Sequence, residues 1–206
     1  MSSGGIECSL ELYEIPLSPI SLSKLFCLYV MNSQVNEIID FLIRRRSIRK
    51  FQNKPVDMNL IKELISVANH SPNSNNREPW KFIIITDESI KKELSTLHKG
   101  ASHIAYAPIG IAVVAEPDLS PETWMIDTAN ATLYFVLAAY SVGLGVGWIA
   151  AYENRKAKEL LGIPEGKILM TLLSVGYPDP GYQPKPKEVK KPEDVMFTNK
   201  WGLKVL

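Results

Sequence analysis

The chain has 206 residues, 46% of them hydrophobic and 22% charged, with 23 Lys plus Arg against 22 Asp plus Glu. That is ordinary composition for one globular domain with a real core, and a formal net charge of +1 excludes a general nucleic-acid binder. Two cysteines, Cys8 and Cys27, are too few for a disulfide framework, so a reducing cytoplasm is the expected compartment.

Residues 20 to 31 are the one stretch that could pass for a targeting segment. They are too short to span a bilayer, contain Lys24, and follow Glu7, Glu11 and Glu14, the wrong sign for a signal-peptide start. Residues 1–30 are expected to be an N-terminal extension of doubtful structure, for which an upstream start-site artefact is one explanation, with the domain running from about Met31 to residue 206. Asn32 or Ser33 can cap a first helix with an apolar face of Val35, Ile38, Ile39, Leu42 and Ile43. It ends at a local knot of positive charge, Arg44-Arg45-Arg46-Ser47-Ile48-Arg49-Lys50-Phe51. After the breaker Asn53-Lys54-Pro55, Asp57 or Asn59 starts a second helix with Leu60, Ile61, Leu64, Ile65 and Ala68 inward. Ser71 to Pro79 is a polar loop without expected regular structure.

Trp80 to Thr86 reads as a buried strand, and Asp87 caps a short helix carrying Ile90, Leu94 and Leu97. Ala107 to Ala115 is a second strand. The longest element, from about Pro121 to Val142, is apolar over most of its circumference, so it belongs in a core or a subunit interface. Gly143 ends it. A short strand at Val146–Ala151, a helix at Asn154–Leu161 and a strong strand at Ile168–Val175 follow. Beyond Tyr177-Pro178 the chain is rich in Pro and Lys and reads as an extended arm. Helices and strands are interspersed without strict alternation, so the expected class is α+β, with a mixed central sheet flanked by helices.

The basic knot admits two readings, which the residues alone leave open. Cations at a helix C-terminus meet the negative end of its dipole. Equally, Arg with Ser and backbone N–H groups at a turn can cradle a phosphate. The Asn-rich loop by itself reads as turn chemistry, although Asn76 offers the donor and acceptor that a heterocycle with amide-like edges needs. Gly143-Leu144-Gly145-Val146-Gly147-Trp148 fails as a dinucleotide fingerprint, because a helix precedes it and Trp148 stands where the last Gly is required. His70, His98 and His103 have no metal spacing, and no side chain stands out as an acid, base or nucleophile. Any chemistry is then expected to belong to a bound cofactor.

Together, Arg45-Arg46-Ser47-Ile48-Arg49-Lys50-Phe51, Ser71-Pro72-Asn73-Ser74-Asn75-Asn76-Arg77-Glu78-Pro79-Trp80, Gly143-Leu144-Gly145 with Trp148-Ile149-Ala150-Ala151-Tyr152, and Ser174-Val175-Gly176-Tyr177-Pro178 resemble the nitroreductase family of FMN-dependent oxidoreductases. The resemblance covers about residue 34 to the C-terminus. It implies an α+β nitroreductase-like fold and an intertwined homodimer around a long central helix, with FMN at the subunit interface. NADH or NADPH would be the co-substrate, and nitroaromatics, quinones or similar small acceptors would be reduced in a ping-pong cycle. Carried over by position, Arg45, Ser47 and Lys190 would hold the phosphate, Arg46 largely through its backbone, with Lys187 as a neighbour. Arg49 would sit at the flavin N1 and O2 edge, Asn76 at the pyrimidine end, and Ala150 and Ala151 facing N5. Pro72, Asn73 and Ser74 would come from the partner subunit. No nucleic acid, membrane or metal is implied. Glu78, Ala150-Ala151 and Lys190 depart from common family patterns and leave substrate and nicotinamide preference open. The alternatives are a flavin-binding or redox-sensing protein without efficient turnover, and a specialised enzyme of the same fold, of dehalogenase or flavin-cleaving type. The absence of a long helical insertion between Ala115 and Pro121 speaks against the specialised enzymes.

Overall fold

The computed structural model describes residues 36–98 and 100–204. The expectation for residues 1–30 lies outside them, as does Val35. The chain divides into two compact units, one up to Arg44 and one from Arg45 onward. In the first, helix α1 spans 36–44, and Arg44 pairs with Asp40 one turn earlier. Arg44 thus takes the structural role of a cation at a helix end. Ile38, Ile39, Leu42 and Ile43, expected to point inward, are exposed.

The second unit is a four-stranded sheet with helices on both faces. Its elements are α2 (Met58–Asn69), β1 (Trp80–Ile85), α3 (Glu88–Leu97), β2 (Ile109–Ala115), α4 (Trp124–Ser141), β3 (Gly145–Ile149), α5 (Arg155–Leu160) and β4 (Ile168–Gly176). Three helix starts follow directly from side-chain caps. Asp57 accepts from the Asn59 N–H, Asp87 from those of Ser89 and Ile90, and Asn154 from that of Ala157.

The strand order is β1-β2-β4-β3, antiparallel at every pairing. The α+β class is as expected, but among the described residues the sheet is antiparallel rather than mixed. The reason is topological. A single helix, α4, carries the chain from β2 to β3, so these two strands run the same way. β4 then inserts between them and pairs antiparallel with both. Between β1 and β2, α3 is followed by a return segment, so the neighbours oppose each other.

β2 is buried at all seven positions and divides the core by its period of two. Ile109, Ile111 and Val113 pack with Ile61, Leu64 and Ala68 of α2 and Phe135, Val136 and Ala139 of α4. Ala112 and Val114 pack on the other face with Leu94 of α3 and Ala157 of α5. A register shift at Val113/Val114 places one extra residue, Met170, in β4. Leu169 and Leu173, four residues apart, consequently join opposite cores. Each fully buried aliphatic side chain of this kind contributes about 1.5–3 kcal/mol relative to exposure.

α4 presents Ala131, Phe135 and Ala139 to the sheet and leaves Met125, Ile126 and Leu133 exposed. It ends in a Schellman motif. The Leu144 N–H reaches the Ala139 carbonyl and the Gly143 N–H the Tyr140 carbonyl, with Gly143 at φ +78°. That left-handed residue turns the chain straight into β3. Residues 185–204 form an exposed arm interrupted by a 3-10 turn at Pro192–Asp194.

Candidate functional site

The basic segment lies along β3. The Ile48 N–H donates to the Val146 carbonyl at 3.0 Å, and the Gln52 N–H donates to the Tyr177 carbonyl at 2.9 Å. The Asp179 N–H returns a bond to the Lys50 carbonyl at 3.1 Å, and Phe51 pairs with Pro178. The glycines of β3 make this seating possible. A Cβ on Gly145 would stand 2.6 Å from the Ile48 Cβ. One on Gly147 would stand 2.6 Å from the Ile48 carbonyl oxygen, 2.6 Å from His103 Cε1 and 2.5 Å from Ser174 Oγ. The glycine-rich run is therefore a helix stop followed by two points of close backbone approach.

With Ile48 turned onto β3, Arg45, Arg46, Ser47 and Arg49 line a cleft of about 360 Å³, closed on its other side by Tyr182, Lys185 and Lys187 of the arm. Arg46 also donates to the Arg45 carbonyl at 2.9 Å. No carboxylate lines the cleft, and Arg45, Arg49, Lys185 and Lys187 form no ion pair with a described residue. Cations converging beside a hydroxyl, without a counter-charge, match the donor set that a phosphate monoester requires. Lys187 lines this cleft; Lys190, singled out from the sequence, does not.

The Asn-rich loop is ordered by α4 and is not irregular throughout. Ser74–Asn76 form a 3-10 turn, with Asn75 and Asn76 at φ near +50°. Asn tolerates that region, because its short side chain bonds locally. The Ser74 N–H donates to Asp127 Oδ1 at 3.1 Å, and Asn130 Nδ2 donates to the Pro72 carbonyl at 3.0 Å. Asn73 Oδ1 accepts from the Glu78 N–H at 3.0 Å. Asp127 is buried and also accepts from the Ser120 and Thr123 hydroxyls. This anchor escaped the sequence reading, although an acidic residue within an apolar helix was its signal. Pro72, Asn73, Ser74 and Asn76 are thus held together at the start of α4. Among the described residues Asn76 has a long 3.5 Å contact to Glu78, which leaves the rest of its amide edge available.

Ala150 and Ala151 follow β3 directly, Ala150 exposed and Ala151 buried. Behind Gly147, His103 is buried and its Nδ1 lies 2.7 Å from Ser174 Oγ. In the sequence this histidine shows nothing beyond the lack of metal spacing. Among the described residues no cluster of His, Cys, Asp or Glu is placed to hold a metal ion.

The model of the nitroreductase family matches residues 42–116 and 97–177. A "Putative NADH dehydrogenase/NAD(P)H nitroreductase" of Archaeoglobus fulgidus is 32% identical over 151 residues, covering 70% of this chain and 87% of that protein. An iodotyrosine deiodinase of Nematostella vectensis is 25% identical over 202 residues, covering 81% and 76%. Among solved structures, an FMN-dependent nitroreductase of Clostridium difficile superposes with a TM-score of 0.68 at 26% identity, covering 79% of this chain and 99% of that one.

Proposed function

The chain belongs to the nitroreductase family, and we propose that it is an NAD(P)H-dependent FMN oxidoreductase that passes electrons to small acceptors such as nitroaromatics and quinones. The observation that carries this reading is the carboxylate-free cleft of cations around Ser47, seated on the glycines of β3. Its donors fit the FMN phosphate. In this reading Arg45 and Ser47 bind the phosphate by charge-assisted hydrogen bonds, and Lys187 adds a point charge from the arm. Arg49 would stand at the pyrimidine edge of the flavin, where its charge would stabilise added negative charge. Asn76 offers amide donors and acceptors to the same edge. FMN, when bound, supplies hydride acceptance from NAD(P)H and electron delivery to the acceptor.

The proposed partner is a second copy of the chain, placing Pro72, Asn73 and Ser74 over the neighbouring cofactor. The exposed Met125, Ile126 and Leu133 of α4 and the uncovered arm are surfaces that such a copy would bury. No described helix is long and apolar enough to cross a membrane. The cytoplasmic placement remains part of this proposal and rests on cysteine usage.

Similarity to the iodotyrosine deiodinase supports a second reading, reductive dehalogenation on the same fold. Against it stands the connection from β2 to α4, where residues 116–123 are occupied by hydrogen-bonded turns rather than a helical insertion. Anaerobic titration of the FMN-loaded protein tests both readings. NADH or NADPH is expected to bleach the flavin band, and menadione or a nitroaromatic to restore it within one mixing cycle. Flavin that stays oxidised under excess NADH and NADPH would overturn the leading reading. Turnover confined to a halotyrosine would favour the second.

A further inference from the structure

His103 is a buried titratable group that the proposed reaction does not use. It is 5% exposed and sits in a 3-10 turn, Ser102–Tyr106, between α3 and the sheet. Its ring edge, Ser174 Oγ and the Ile48 carbonyl all crowd the place where a Cβ on Gly147 would stand. The carbonyl belongs to the peptide that joins Ile48 to Arg49. The ring edge and that carbonyl each lie 2.6 Å from this place, so the imidazole neighbours the backbone that carries Arg49. Nδ1 is spent on Ser174, and Nε2 is buried without a hydrogen-bond partner.

We propose that His103 is a positioning residue for Arg49, seating the Ile48–Arg49 peptide on β3 so that the guanidinium is held at the cofactor. The proposal rests on the flavin reading above.

The charges around the ring are few. β3 and β4 contribute no ionisable side chain. On α3, Lys91 is buried but its Nζ donates to the Ala107 and Pro108 carbonyls, while Glu88, Lys92 and Glu93 are exposed. On the approach to the turn, His98 accepts from the Gly100 N–H. Arg49 is the charge that acts on the imidazole. Burial first, and Arg49 second, push its pKa below the usual histidine value, against a backbone contact from Gly100.

The sign follows. In acid the unfolded or loosened chain binds a proton that the seated ring refuses, so stability of the seated state is lost as pH falls below the ordinary histidine range. A protonated ring would oppose Arg49, with only the Gly100 backbone contact in its favour. Because the proposal makes the seated peptide the form that binds FMN, cofactor binding is expected to favour the neutral imidazole.

The test is the FMN dissociation constant of the full chain at about pH 7.5 and pH 5.5, for wild type and His103→Gln. The FMN phosphate titrates near pH 6 in both experiments and cancels in the comparison. Wild-type affinity is expected to fall more steeply, by up to about tenfold per pH unit from the one coupled proton. His103→Gln is expected to bind more weakly at pH 7.5 and to follow the shallower slope of the phosphate alone. Parallel slopes would overturn the inference and leave the flavin reading intact; absence of FMN binding by wild type would remove both. Should His103→Gln not fold, the imidazole resonances of the wild type decide. The His103 titration is expected to move to lower pH when FMN is added, and an unmoved titration overturns the proposal.

Discussion

Gly147→Ala is expected to cost stability at the upper end of the overpacking range, about 3 kcal/mol. The new Cβ would meet three groups closer than 2.7 Å, and none is the free end of a flexible chain. One is the Ile48 carbonyl, fixed by the neighbouring bond from the Ile48 N–H to Val146. Another is the Ser174 hydroxyl on the central strand β4, and the third is the ring of His103. The least costly relief is outward displacement of residues 45–49. That displacement would take Arg45, Ser47 and Arg49 with it. For a domain of this size the loss corresponds to a fall of roughly 6–12 °C in Tm. Weaker FMN retention should accompany it, measured by desalting. An unchanged Tm would mean that the basic segment is not seated on β3.

Arg45→Ala carries the second large effect, and it falls on binding rather than folding. Arg45 is half-buried in the cleft and pairs with no described carboxylate, so its removal leaves no orphaned anion in the free protein. Loss of charge-assisted bonds to a phosphate costs about 1.5–3 kcal/mol, which raises the FMN dissociation constant by about ten- to a hundredfold. Lys187→Ala should weaken binding more than Lys190→Ala, because Lys187 lines the cleft and Lys190 does not. Isothermal titration of the three variants checks this. The reverse order for the two lysines would return the phosphate contact to Lys190, supplied along another course of the arm.

Much of the fold could be read from local chemistry. Asp57, Asp87 and Asn154 announce helix starts because each side chain satisfies an N–H that the helix cannot. Gly143 announces a stop because the next backbone step is left-handed. What local chemistry does not contain is pairing. Nothing in β2, α4 and β3 reveals that β4 will slide between the two parallel-running strands, so the sheet was expected to be mixed. Apolar periodicity also says that a face is covered without saying by which chain. Hence Ile38, Ile39, Leu42 and Ile43 of α1 read as core yet are exposed, as is one side of α4.

The site divides in the same way. Arg45, Ser47 and Arg49 were legible because so much positive charge is anomalous in a neutral chain. Their grouping with Lys187 rather than Lys190 depends on the course of an irregular arm, which has no period to read. His103 and Asp127 stayed hidden because their partners, Ser174 and Ser74, lie 71 and 53 residues away. Both are buried polar groups whose satisfaction is a tertiary fact.

The cations around Ser47 are proposed to hold the phosphate of a flavin. Comparing the affinities of the purified chain for FMN and riboflavin, which differ only in that phosphate, tests it most directly. FMN is expected to bind at least about a hundredfold more tightly, the worth of two charge-assisted contacts, with the difference shrinking as salt is raised. Equal affinities for the two flavins would contradict it.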